Sequence, residues 1–246
     1  MKRVIYVFAA LLVFLITENN ASCQGSKLTD NVLTAKEVKD GWKLLFDGKT
    51  TEGWMNAKSR SFPKAGWVIS DGAFRITPES GSGGDIVTTT KYRDFELSID
   101  FMYGKGANSG IKYFVDTDIN NGALASIGCE YQIIDDKNYT EGILDIKGRQ
   151  NLAALYDIIA PVNVVDNGAD HWNTAKIIVR GSQVQQWLNG KKTVDYERGT
   201  QAWRDMVALT KFKTSPGFGE VTEGRILLQE HGGIASFKNI KIRAIK

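Results

Sequence analysis

Phe95-Glu-Leu-Ser-Ile-Asp-Phe-Met-Tyr103 alternates without a break. Phe95, Leu97, Ile99, Phe101 and Tyr103 fall on one side; Glu96, Ser98, Asp100 and Met102 fall on the other. A period of two marks a strand with one buried face, because successive side chains of an extended backbone point to opposite sides. Such a strand needs partners, and the chain supplies them as short runs cut by turn residues. Asp71-Gly72 separates Trp67-Val-Ile-Ser70 from Ala73–Thr77, and Asn189-Gly190 separates Gln183–Leu188 from residues 191–196. Both pairs read as hairpins, since Asp-Gly and Asn-Gly suit the left-handed geometry of tight β-turns. Further strands are predicted at residues 42–46, 86–89, 110–115, Cys129–Ile134, 175–180, 225–229 and Ala235–Ala244. Only residues 201–210 and 32–39 read as short helices. The expectation is one all-β domain over residues 41–246, a β-sandwich of two antiparallel sheets with no internal repeat.

The N-terminus differs in kind. Lys2 and Arg3 precede an apolar run over residues 4–16, followed by small residues at Ala21 and Ser22. Basic start, apolar middle and small-residue exit are the parts of a secretory signal, and the run is too short to span a bilayer comfortably. Residues 1–23 are therefore expected to be a signal and residues 24–40 a linker. Cys23 after Ala21-Ser22 resembles a loose bacterial lipoprotein box, although the apolar run ends early and Asn20 fits poorly. Two alternatives stand: a periplasmic protein, or an outer-membrane lipoprotein anchored by lipid on Cys23. Cys129 is the other cysteine. Within an apolar strand it reads as a small buried hydrophobe. A net charge of +3 without a long basic run gives no footprint for nucleic acid. The oligomeric state is not legible.

The chemistry-bearing residues cluster on a few strands. In Cys129–Ile134, Glu130 and Gln132 project to the side opposite Cys129, Tyr131 and Ile133. Asp135 rejoins them only through a bulge or at the strand end. A carboxylate, an amide and a second carboxylate could supply a base, a substrate-orienting group and an acid; a solvated outer face would give the same pattern. In Gln229-Glu-His-Gly-Gly233, Gln229 and His231 share a face of a strand read over residues 225–231, and histidine exchanges protons readily near neutral pH. Asn108 stands at the mouth of another strand, suited to hydroxyl recognition or to an ordinary turn. Lys112 is the only charge in residues 110–115 and can steady a developing oxyanion if it faces a cleft. Tyr156, in an apolar loop, can reach a ligand or close the core rim. Trp187 could stack on a sugar ring, but filling the core is the more ordinary use. No phosphate loop, His-Glu-x-x-His, nucleophile elbow or cysteine cluster occurs. No cofactor is expected, and an all-oxygen structural calcium site using Asp116, Asp118 or Asn120 stays open.

The ordered set of motifs resembles one family. Trp42-Lys-Leu-Leu-Phe-Asp-Gly-Lys49, Asn108-Ser-Gly-Ile111, Glu130-Tyr-Gln132, Trp187-Leu-Asn-Gly190, Leu228-Gln-Glu-His-Gly-Gly233 and Phe237-Lys-Asn-Ile240 are similar to the 3-keto-disaccharide hydrolase family. The resemblance covers nearly the whole of residues 40–246. It implies a concanavalin A-like jelly-roll and an exported bacterial enzyme acting on glycosides or disaccharides oxidised at carbon 3. Laminarinases of that fold carry Glu-x-Asp-x-x-Glu on a cleft strand. Glu130-x-Gln132-x-x-Asp135 keeps the spacing but alters the chemistry, which disfavours a conventional glucanase with paired carboxylates. Proton abstraction beside a ketone fits the change, with Glu130 or His231 as base and Gln132, Gln229 and Lys112 orienting substrate. Many relatives carry an arginine after Asn-Ser-Gly-Ile and aromatic residues; this chain has Lys112 and no arginine there, so contacts inferred from that arginine do not transfer. The rival class is a lectin-like sugar-binding module, which needs aromatic platforms but no base.

Overall fold

The computed structural model describes Met1 and residues 29–118, 126–141 and 147–245. The rest of the segment read as a signal, Cys23 included, and Asn120 lie outside them. Two antiparallel sheets form a jelly-roll sandwich. The larger sheet runs β11 (Lys191–Glu197), β10 (Gln183–Leu188), β9 (Asn173–Arg180), β6 (Phe95–Tyr103), β13 (Ala235–Ala244), β4 (Ala73–Thr77) and β3 (Gly66–Ser70), with β1 (Lys43–Leu44) paired to β13. The smaller runs β2 (Trp54–Asn56), β5 (Ile86–Thr88), β12 (Arg225–Leu228), β7 (Asn108–Val115) and β8 (Cys129–Ile134).

Both anticipated hairpins form, with Ser70 opposite Ala73 and Leu188 opposite Lys191. Asp71 and Asn189 take φ of 52° and 47°, each followed by a glycine of positive φ. That is the pair of left-handed residues a two-residue turn demands. Alternation on β6 holds: Leu97, Ile99 and Phe101 are buried, and Phe101 meets Tyr131 of the other sheet edge-to-face at 6.2 Å. This is the layer of core that joins the sheets. A polar chain crosses it as well. Gln186 Nε2 on β10 donates to Tyr113 Oη at 2.9 Å, and Tyr113 Oη lies 3.0 Å from Tyr196 Oη.

β2 was not anticipated. Its three residues are too few to show a period, and Trp54 is fixed there by donating Nε1–H to Leu45 O at 2.6 Å. The helices are α1 (Ala35–Lys39), with a Thr34/Glu37 capping box, and α2 (Gln201–Ala208), capped by Thr200. Within the segment read as a linker, residues 30–40 dock on the larger sheet. Asn31 and Asn239 exchange hydrogen bonds of 2.6 and 2.9 Å, and Lys241 pairs with Glu37. The described part of that segment is thus attached to the domain rather than free of it.

Candidate functional site

β7 and β8 pair in antiparallel register, with Gly110 opposite Gln132 and Lys112 opposite Glu130. Their neighbours Ile111, Tyr113, Cys129 and Tyr131 point into the core. Gly110, Lys112, Glu130 and Gln132 therefore share the outer side of the smaller sheet, as the alternation on β8 predicted. Residues 153–156 pair along the free edge of β8: Ala153 N–H bonds Gln132 O at 2.9 Å, and Tyr156 N–H bonds Glu130 O at 3.0 Å. This carries Tyr156 to the rim. The turn Lys211–Thr214 adds to the lining beside it, with Lys211 N–H donating to Asp157 Oδ2 at 3.1 Å.

The result is a cavity of about 380 Å³, lined by Asn108, Lys112, Glu130, Gln132, Tyr156, Gln229 and His231, with Ser126, Ile127, Gly128, Lys211, Phe212, Thr214 and Ser215. That size suits a small-molecule site. Seven of the nine residues singled out from the sequence meet here. Glu130 is the only carboxylate in the lining among the described residues.

Glu130 is 6% exposed. Gln229 donates its amide N–H to Glu130 Oε1 at 3.1 Å and accepts from Lys112 Nζ at 3.1 Å. Lys112 Nζ stands 3.6 Å from Glu130 Oε2, an ion pair looser than a direct hydrogen bond. Burial pushes the Glu130 carboxyl above its ordinary value; Lys112, Lys211 and His231 pull the other way without cancelling it. Burial also raises the Tyr156 phenol, and the Glu130 charge adds to it. Gln132 donates Nε2–H to Gln150 O at 3.3 Å, while its buried Oε1 has no partner. A buried acceptor left unpaired is a ready partner for a ligand hydroxyl.

Gly110 was missed from the sequence. A Cβ built there would lie 2.3 Å from Glu130 Oε1, so the carboxylate crosses β7 only because this residue lacks a side chain. A glycine inside a strand can mark such a close approach. Lys211 was also missed; its Nζ lies 4.3 Å from the Tyr156 ring centre, and nothing in its local sequence distinguishes it from a surface lysine.

Three expectations need correction. β12 ends at Leu228, so Gln229 and His231 reach the cavity from a loop rather than from one strand face. His231 is exposed at the mouth. Asp135 turns away: it accepts from Gly106 N at 2.9 Å and Asn138 Nδ2 at 2.8 Å, tying down the loop after β8. Trp187 lies on β10 in the other sheet, where its Nε1–H meets Gln185 Oε1 at 3.3 Å, and it does not line the cavity. Of the residues considered for calcium, Asn120 lies outside the described residues, and Asp116 and Asp118 pair with cations: Lys91 holds Asp116 at 2.9 Å and Asp118 at 3.0 Å, and Arg60 holds Asp118 at 3.0 Å.

Comparison with known proteins gives this geometry a context. A curated 3-keto-disaccharide hydrolase from Bacteroides thetaiotaomicron is 32% identical over 231 residues, covering 84% of this chain and 79% of the relative. A crystal structure from Parabacteroides distasonis, a glycosyl hydrolase by assignment only, superposes with a TM-score of 0.78 at 31% identity, covering 89% of this chain and all of that one. A second from the same organism, with the same assignment, gives 0.60 at 28% identity, covering 83% and 99%. The model of the 3-keto-alpha-glucoside-1,2-lyase-like domain matches residues 41–243, so the chain belongs to that family.

Proposed function

We propose that the protein is a hydrolase of 3-keto-glycosides, working by proton abstraction, elimination and hydration. The observation that carries this is the buried carboxylate of Glu130, alone in the cavity lining among the described residues and held beside an ammonium and an amide. A glycosidase of the two-carboxylate kind needs a second acid across the scissile bond. Asp135 supplies none, because Gly106 N–H from the loop before β7 and the Lys137 and Asn138 donors of its own loop occupy it.

A ketone at C3 acidifies the proton on C2. Glu130 takes that proton, and the C2–H electron pair becomes the C2=C3 bond of an enolate, whose negative oxygen Lys112 and Gln229 are suited to steady. The enolate then restores the C3 carbonyl, C1=C2 forms, and the C1–O bond breaks. The leaving oxygen takes a proton, for which His231 at the mouth is a candidate donor. Water adds to C1 and C2 regains a proton, so the sum is hydrolysis without an oxidant. The family description speaks of a 1,2-lyase and the curated relative of a hydrolase; elimination is the lyase half of this sequence and hydration completes the hydrolysis. A raised Glu130 suits the base role, since a base is most effective when its pKa lies near the working pH.

The test is proton exchange. In heavy water, a 3-keto-glucoside recovered before complete turnover should carry deuterium at C2, and Glu130→Gln should lose both exchange and aglycone release. Release without any dependence on Glu130 or His231 would sink the mechanism. The leader suggests where this happens: we propose export, with lipid on Cys23 as the finer possibility. Cell fractionation, with the intact mass of wild type and Cys23→Ser, checks it.

A further inference from the structure

A second hollow, about 390 Å³, lies beside the first and shares Ile127, Gly128, Thr214 and Ser215 with it. The two differ in character. The first presents Lys112, Glu130 and Gln132; the second presents Phe114, Pro216, Phe218 and Val221, with Glu220, whose carboxylate is held by Arg204 at 3.0 and 2.9 Å, and the shared hydroxyls of Thr214 and Ser215 at its margin. Phe114 sits there at a φ of 59°, a region that bulky side chains rarely adopt. The β7–β12 pairing slips a register at the same place, between Arg225 and Leu227. Bulges of this kind re-aim side chains next to active sites, and backbone outliers persist where the surroundings fix them. Arg198 does the fixing. Its guanidinium carbon lies 4.1 Å from the Phe114 ring centre, and its Nη1 donates to Gly219 O at 3.0 Å and to Val221 O at 2.6 Å.

We propose that this second hollow is the leaving-group subsite and that it favours a leaving group carrying an apolar, aryl or aryl-alkyl, portion. The inference rests on the reading of the first cavity as the 3-keto-sugar site. A flat apolar group meets walls of its own kind at Phe114, Phe218 and Val221, while Thr214, Ser215 and Glu220 leave room for polar atoms at one side.

Ethyl and 2-phenylethyl 3-keto-glucosides, in both anomers, test it, because their leaving alcohols are of similar acidity and differ mainly in apolar bulk. The phenylethyl compound should be favoured by at least about tenfold in kcat/KM, chiefly through KM. Val221→Ser should shrink that ratio several-fold and leave the ethyl compound unchanged. The half-buried Val221 keeps the backbone carbonyl that Arg198 uses. Phe114→Gly, a residue the left-handed backbone admits, should remove most of the preference. A wild-type ratio near one, or a ratio unmoved in both variants, overturns the subsite while leaving the sugar site standing. If neither compound releases its alcohol, the reading of the sugar site fails and the subsite falls with it.

Discussion

Glu96 on β6 and Glu130 on β8 have the same side chain, each stands second in its strand, and they are equally hidden, at 5% and 6% exposure. Their partners differ. Glu96 takes hydrogen bonds from Arg243 Nε at 2.9 Å and Nη2 at 2.5 Å, and from Lys176 at 3.0 Å. Burial works against its ionisation, but Arg243 and Lys176 outweigh it and hold the carboxyl below its ordinary value. Glu130 has one amide donor and one ammonium at 3.6 Å, and burial wins. Burial alone therefore does not distinguish a structural carboxylate from a reactive one. The number and closeness of charged donors does.

Exchanging each carboxylate for its amide gives the sharpest break between them. Glu130→Gln should lower kcat by about 10²–10⁴-fold, the range of a removed general base. Its Tm at neutral pH should not fall below wild type. The folded pKa of Glu130 is raised, so its ionised form costs stability above that pKa and the cost vanishes as pH drops below the unfolded value. Glu96→Gln should show the reverse: unchanged kcat and a loss of about 1–2 kcal/mol at neutral pH, discounted because Arg243 and Lys176 are partly solvated. That loss should fade as pH falls through the depressed Glu96 pKa. Equal loss of activity in both variants would erase the distinction.

Gly110→Ala asks whether position matters as well as partners. The new methyl would collide with the Glu130 carboxylate and push it from the cavity. A fall of about tenfold to a hundredfold in kcat is expected, in line with small misplacements of a catalytic group. Thermal denaturation should separate this from unfolding. Lys112→Met should act more gently on the pH profile. Lys112 lowers the Glu130 pKa, so removing it should move the acid limb of the kcat/KM profile to higher pH. A limb that stays put would remove Glu130 from the titration. Trp187→Ala, on the opposite sheet, should leave KM unchanged; a raised KM would mean that sugar binds there too.

Much of the sandwich was legible because alternation and turn chemistry are local. The period of Phe95–Tyr103, Asp71-Gly72 and Asn189-Gly190 each report on a few neighbouring residues. The shared side of Glu130 and Gln132 was legible for the same reason. The end of β12 was not, because Gln229 and His231 continue a plausible alternation past the point where pairing stops. Asp135 was misread because its direction depends on Gly106 and Asn138 closing around it, and Trp187 because its sheet is chosen by β9 and β11.

The sequence by itself determined the class of fold and the polar side of β8. Those follow from periods and turns encoded within a dozen residues. Only the tertiary structure decided that Lys112, Gln229 and His231, from β7 and the loop after β12, converge on Glu130 while Asp135 leaves it. The reason is register: pairing between strands distant in sequence fixes which side chains meet, and with them which buried carboxylate is held by several charged donors and which has one amide and a looser ammonium.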